Sequence, residues 1–370
     1  MTINPPQHLA PALPVQRPVH PTLRRRRWLA VLLGLVVAAA LFESTVRLAR
    51  LGSPVYAPRR FEPDGKVPFA LLTDGGTSLP VYQPNTVFAS VYDPAGDQRR
   101  YLADGGKVFY RINADGMRGG VRGKEKPPDA YRILCLGDSI TFGEGVHEEH
   151  TYPSRLEHLL AAAMPDRRVE VLNAGVQGYG TREEVALYIF RGRAFSPDAV
   201  IVGFFLNDAV EFSETIRQND AQTHGYQPSG PARLLKTWEI LARSLAARRL
   251  QADYFDTIRR SFDSPIWEQD KKLLGLLTDE ARNSGFRLIV LIFPVLWELD
   301  GNYPFEDLHG RIAAACRAAG CECIDLLETY RGHPAESLWV HPTDHHPNEL
   351  AHRLAAERLA AILHPPPRSD

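Results

Sequence analysis

The sequence predicts an α/β fold, a three-layer α/β/α domain built on a five-stranded parallel sheet. Two observations predict it. Continuous apolar runs alternate with amphipathic helical patterns from Tyr131 to the C-terminus. The runs lack the polar alternation of half-exposed strands, as expected of strands covered on both faces.

The predicted strands are Tyr131–Leu136, Val169–Asn173, Ala199–Phe205, Phe286–Phe293 and Cys321–Leu327. The predicted helices between them are Thr151–Met164, Arg182–Gly192, Ile266–Ser284 and Phe305–Ala319. A last helix is expected over Pro347–Leu363, with Pro347 at its first position and His346 as its cap. Residues 209–264 exceed what a simple crossover needs and contain a basic amphipathic stretch, Arg233–Leu250, read as a solvated helix beside the sheet. Crossovers should be right-handed.

The N-terminal third reads differently. Residues 1–27 form a basic, Pro-rich tail ending in Arg24-Arg25-Arg26-Arg27, expected to be disordered. Trp28–Phe42 then carries no charge. As helix this run spans about 22 Å, short of the roughly 30 Å hydrocarbon core, but it extends past Glu43 through Val46. Residues 28–50 are therefore read as a transmembrane signal-anchor, with a periplasmic or extracellular body. A cleaved signal peptide, cut near Ala38-Ala39-Ala40, and a buried soluble helix are the alternatives. Residues 53–127 read as a linker and a small β-rich extension, with β-like pieces at Thr86–Tyr92 and Lys107–Ile112 and a turn at Asn113–Gly116. The main domain is expected over 128–364, and 365–370 is a tail.

Composition excludes some classes. The chain of 370 residues has a net charge of −1 and no basic stripe interleaved with aromatics, so nothing points to nucleic acid. The four cysteines (Cys135, Cys316, Cys321, Cys323) have no zinc spacing, and Cys135, Cys321 and Cys323, which lie in predicted strands, read as buried small hydrophobes. A Cys316–Cys321 disulfide would need an oxidising compartment. No metal or organic cofactor is suggested.

Four blocks carry chemistry. Gly137-Asp138-Ser139 follows the first strand and starts a helical segment, where open α/β sheets place their ligands. Ser139 is the candidate nucleophile. Asn173–Gly180, rich in glycine, follows the second strand and can present backbone N–H groups. Asn207-Asp208 follows the third and can aim an amide at an oxyanion. His341–Asn348 supplies imidazole and carboxylate together.

In this order the blocks resemble the SGNH (GDSL-type) hydrolase family, over roughly residues 108–363. Tyr110–Gly119 also resembles the lead-in of membrane-anchored bacterial members. The resemblance implies a flavodoxin-like strand order and an ester-hydrolysing enzyme without cofactor, acting on a lipid acyl ester or an O-acetylated glycan. It implies Ser139 as nucleophile, His346 as general base and Asp344 as its acid. The Ser139 and Gly178 backbone N–H groups and the Asn207 side chain become the oxyanion hole. Asp138 and Asp208 become supporting residues. The same site would serve an envelope glycan O-acyltransferase, and a non-catalytic binding module is a further reading. One departure stands out: the usual Asp-x-x-His spacing would put Thr343 in the acid position, whereas Asp344 lies two residues before His346. In an extended segment His345 and His346 point opposite ways, so only one of them should face Ser139.

Overall fold

The structure, a computed structural model, describes residues 21–49, 59–74, 77–97, 106–210, 230 and 234–363. The expected N-terminal tail up to residue 20, the linker up to residue 58, residues 211–229 of the long insertion and the C-terminal tail lie outside the described residues. The chain divides into two compact units, Met1–Pro54 with Pro228–Leu245, and Val55–Gln227 with Ala246–Asp370.

In the first unit, helix α1 (Pro21–Leu48) is long and apolar enough, over Arg24–Leu48, to span a membrane or to be a signal sequence. An 18-residue window within it has a mean hydropathy of 2.2 and is only 6% buried. Near its end Glu43 accepts hydrogen bonds from the Thr237 hydroxyl (2.6 Å) and backbone N–H (3.0 Å). These groups sit at the start of the helix Lys236–Ser261, where N–H donors lack helical partners and a carboxylate is favoured.

The second unit opens with short antiparallel strands: β1 (Arg60–Glu62), β2 (Phe69–Asp74), β3 (Thr77–Tyr82), β4 (Val87–Val91) and β5 (Lys107–Arg111). β1, β4 and β5 form one sheet, and β2 and β3 form a hairpin. Asn113–Gly116 is the expected turn, closed by the Gly116 N–H on the Asn113 carbonyl at 3.0 Å.

The main sheet follows: β6 (Ala130–Gly137), β7 (Arg168–Gly175), β8 (Ala199–Phe205), β9 (Arg287–Phe293) and β10 (Glu322–Asp325). All neighbours are parallel, in the order β10-β9-β8-β6-β7, which is the expected flavodoxin-like order. Apolar burial explains the strands: Ile133 to Leu136 and Ala199 to Ile201 have no exposed surface, so both faces are covered. Tyr152–Ala163 packs on Glu349–Leu363, while Thr181–Phe190 packs on Pro265–Ser284 and that on Glu306–Ala319. The chain leaves β6 for β7 on one side and later returns to β8 on the other. The carboxyl end of β6 is thus the point where the strand order reverses.

A short helix, Ser139–Phe142, begins there. It lies so close to β7 that a Cβ on Gly175 would fall 2.2 Å from the Phe142 backbone nitrogen. Gly175→Ala should therefore lower stability by about 2–3 kcal/mol and displace the Ser139 turn. A urea titration run beside an esterase assay checks this; unchanged stability and activity would contradict it.

The C-terminal region departs from the sequence expectation. Trp339–His341 and Asp344–Pro347 form a two-stranded antiparallel hairpin, and the last helix starts at Glu349 instead of Pro347. The cap is Asn348, whose Oδ1 accepts from the N–H groups of Leu350 (3.0 Å) and Ala351 (3.3 Å). Pro347 is consumed by the hairpin, pairing opposite Trp339.

Candidate active site

Ser139 is buried, the first residue of its short helix. Asp138 caps that helix, its Oδ1 accepting from the Ile140 N–H at 2.8 Å. Ser139 Oγ lies 2.8 Å from His346 Nε2. The other ring nitrogen of His346 faces Asp344: Nδ1–H donates to Oδ1, which also accepts from the His346 backbone N–H at 3.2 Å. Ser139, His346 and Asp344 form one hydrogen-bonded chain.

The hairpin explains the Asp344–His346 spacing. In a strand, residues two apart share a face and the residue between them faces the other way. Asp344 and His346 therefore point together toward Ser139. His345 points away and stacks on Trp339, with ring centroids 3.9 Å apart. Thr343 sits in the hairpin turn and bonds His341 Nδ1 through its hydroxyl at 2.7 Å.

Three groups missed in the sequence surround this chain. Tyr92 donates its hydroxyl to Asp344 Oδ2 at 2.8 Å. Arg59 donates Nη1 to the same oxygen at 2.7 Å and forms an ion pair with Glu144. Glu144 is buried, with Oε2 3.7 Å from His346 Nε2. Arg59 and Tyr92 come from the β-rich extension, which the sequence left without a role. Glu144 lies in the same block as Ser139, within Gly143-Glu144-Gly145, and its acidic side chain in an apolar, glycine-rich turn was the one available signal.

The extension also holds the turn that follows Ser139. Arg118 donates to the carbonyls of Phe142, Gly143 and Val146, each at 2.6 Å. Tyr110 accepts the Gly145 N–H at 2.8 Å. Tyr82 and Tyr110 pack on Phe142 with centroids 4.7 and 5.0 Å apart. The Tyr110–Gly119 segment is thus a brace on the helix that carries Ser139.

Electrostatics follow from this packing. Burial alone would raise the Asp344 carboxyl. The charges of His346 and Arg59, with hydrogen bonds from His346 and Tyr92, outweigh it and hold Asp344 well below the usual carboxylate range. Burial alone would lower His346, but the Asp344 and Glu144 carboxylates raise it to about 9. Behind the site lies a group of buried carboxyls. Burial pushes Asp138 up to about 6. Glu184 and Asp208 stand well above the carboxylate range, first through burial and then through neighbouring carboxylates: Asp138 and Glu183 for Glu184, and Glu184 and Asp138 for Asp208. Asp208 Oδ2 accepts the Phe205 N–H at 3.0 Å, which ties the Asn207 turn to the end of β8.

The other expected oxyanion donors lie in the loops that follow the two strands paired with β6. Gly178 lies in the loop after β7 with φ +80°, a conformation that favours glycine. Asn207 lies in the 3₁₀ turn Leu206–Ala209 after β8. Among the described residues no group of three or more His, Cys, Asp or Glu is arranged to hold a metal ion.

The family model described as GDSL-like Lipase/Acylhydrolase matches residues 135–354. No curated protein matches the chain. Among solved structures it is similar to LAE5, an alpha/beta hydrolase enzyme from the metagenome of Lake Arreo, Spain. That match has 18% identity, covers 64% of this chain and 97% of that one, and has a TM-score of 0.41. It is also similar to a catalytic mutant of Axe2, an acetylxylan esterase from Geobacillus stearothermophilus, at 16% identity, 65% and 95% coverage, and a TM-score of 0.41. A two-domain esterase active on acetylated mannans matches at 20% identity and a TM-score of 0.37. There the match covers 63% of this chain and only 49% of that one. The family match spans more than half of the sequence. The chain belongs to the GDSL-like lipase/acylhydrolase family and is an ester-hydrolysing enzyme.

Proposed function

We propose that the protein is a serine esterase that cleaves a carboxylic ester, of a lipid or an O-acetylated glycan, through an acyl-enzyme on Ser139. The observation that carries this reading is the hydrogen-bonded chain from Ser139 Oγ through His346 to Asp344. A serine hydroxyl is a poor nucleophile until a base takes its proton. His346 Nε2 takes that proton as Oγ attacks the ester carbonyl, and Asp344 holds the ring oriented and balances the imidazolium. The tetrahedral oxyanion is received by the Ser139 and Gly178 N–H groups and the Asn207 amide, each donor worth about 3 kcal/mol of barrier. The alcohol leaves with the proton from His346. Water then attacks the acyl-enzyme with His346 again as base.

The raised His346 pKa gives this reading a pH signature. Only neutral imidazole is a base, so kcat/KM rises with pH through the His346 pKa, raised to about 9. Removing one of the two carboxylates that stabilise the imidazolium lowers that pKa. Glu144→Gln should move the rising limb down by about one unit, increasing relative activity at neutral pH. An unmoved limb would show that Glu144 does not act on His346.

Substrate class is tested with acetyl and longer-chain nitrophenyl esters, each with and without added glycan. A preference for acetyl favours a glycan ester and a preference for long chains favours a lipid. Acyl transfer to the glycan exceeding hydrolysis would reassign the protein as an O-acyltransferase. We place the catalytic body on the outer face of the membrane, anchored by α1, because Arg24–Arg27 precede the apolar stretch. Protease added to intact cells should then digest the body; a protected body would sink this orientation.

A further inference from the structure

Three of the four cysteines meet at the edge of the main sheet, at its amino end, opposite the end that carries Ser139. The helix Glu306–Ala319 stops in a Schellman turn. The Gly320 N–H donates to the Arg317 carbonyl at 3.2 Å, the Cys321 N–H donates to the Cys316 carbonyl at 3.1 Å, and Gly320 has φ +79°. Such a turn brings together the side chains of the residues that hold its outer hydrogen bond, usually an apolar pair. Here both are cysteines. The Cys321 thiol lies 3.6 Å from the Cys316 carbonyl oxygen. Cys323 follows two residues later on β10, so it shares a strand face with Cys321. Cys316 is fully buried, Cys321 and Cys323 are half-buried, and all are free thiols.

We propose that Cys316 and Cys321 form a thiol–disulfide exchange site whose co-reactant is a small disulfide of the glutathione disulfide class, with Cys321 attacking and Cys316 resolving. The Cys321 thiolate attacks one sulfur of the co-reactant, forming a mixed disulfide and releasing one thiolate. The Cys316 thiol then loses its proton and attacks Cys321 Sγ. The Cys316–Cys321 bond forms, the mixed disulfide breaks, and the second small thiol departs with the proton. In sum, two cysteine thiols are oxidised and one small disulfide is reduced to two thiols.

Three features set the order of attack. Cys321 combines partial exposure with a thiol lowered to about 7 by its hydrogen bond from Cys316, so much of it is thiolate at neutral pH. Cys316 is pushed up by giving hydrogen bonds to Cys321 and Cys323, and by burial. It stays protonated until the mixed disulfide forms. Closing the Cys316–Cys321 bond joins two residues whose backbones are already held together by the outer hydrogen bond of the turn. Cys135 lies in the centre of the sheet with no exposed surface and stays reduced as an internal control.

The test exposes the folded full-length chain, in detergent, to glutathione disulfide, quenches with acid, then denatures and alkylates with iodoacetamide for intact-mass and peptide analysis. The reduced chain should take up a carboxamidomethyl group on each of its four cysteines. After exposure it should be two hydrogens lighter and alkylate only on Cys135 and Cys323. Cys316→Ser should stall as a glutathionyl adduct on Cys321, and Cys323→Ser should close the disulfide like the wild type. Full alkylation after exposure, a stable adduct on the wild type, or a Cys316–Cys323 bond would each overturn the proposal. None of these readouts depends on ester hydrolysis.

Discussion

Ser139→Ala and His346→Ala should each lower kcat on a nitrophenyl ester by about 10⁴-fold or more, while His345→Ala keeps most of it. The contrast between adjacent histidines comes from the strand. His346 lies 2.8 Å from Ser139 Oγ, and His345 faces the opposite side against Trp339. Asp344→Asn should sit between them, losing on the order of 10³–10⁴-fold because the amide no longer fixes the reactive tautomer. Circular dichroism on each variant separates lost chemistry from lost folding. Near-normal turnover in His346→Ala, or its loss in His345→Ala, would contradict the assignment.

Arg59→Met should be the most damaging change outside the triad. It removes a guanidinium that pairs with both Glu144 and Asp344, leaving two buried carboxylates beside each other. Breaking such a buried pair costs about 3–5 kcal/mol, since the remaining charge has lost its partner and stays out of water. Activity should fall as well, because Asp344 must hold His346 in register. Adding Glu144→Gln to Arg59→Met should restore part of the stability by removing one of the stranded charges. The denaturation midpoints of the two single variants and the double variant test this. If Arg59→Met alone shifts nothing, the extension is not coupled to the site as described.

How much of this was legible depended on the range of the interactions. The parallel sheet was readable because each strand buries both faces, and burial writes itself as an unbroken apolar run such as Ile133–Leu136. The strand-end blocks were readable because Gly-Asp-Ser and Asn-Asp interrupt those runs with residues that serve no core. The hairpin at Trp339–Pro347 was not, since strands of three and four residues carry too little pattern and the Pro-Asn pair resembled a helix start. The role of the extension was hidden for a different reason. Arg59 and Asp344 are 285 residues apart, and nothing local distinguishes Arg59 from the neighbouring Arg60, which faces solvent. Glu144 lies five residues after Ser139 in sequence, yet its meaning depends on Arg59 and His346 arriving from both ends of the chain.

The central claim, that Ser139 is a nucleophile activated by His346, is tested most directly by a fluorophosphonate. Wild-type protein and Ser139→Ala are treated with the reagent, and the added mass is located by peptide sequencing. The account predicts a single phosphonyl adduct on Ser139, formed faster as pH rises through the His346 pKa and absent from the variant together with turnover. A folded wild-type chain that takes no label and turns over no ester, or one labelled equally in Ser139→Ala, would contradict it.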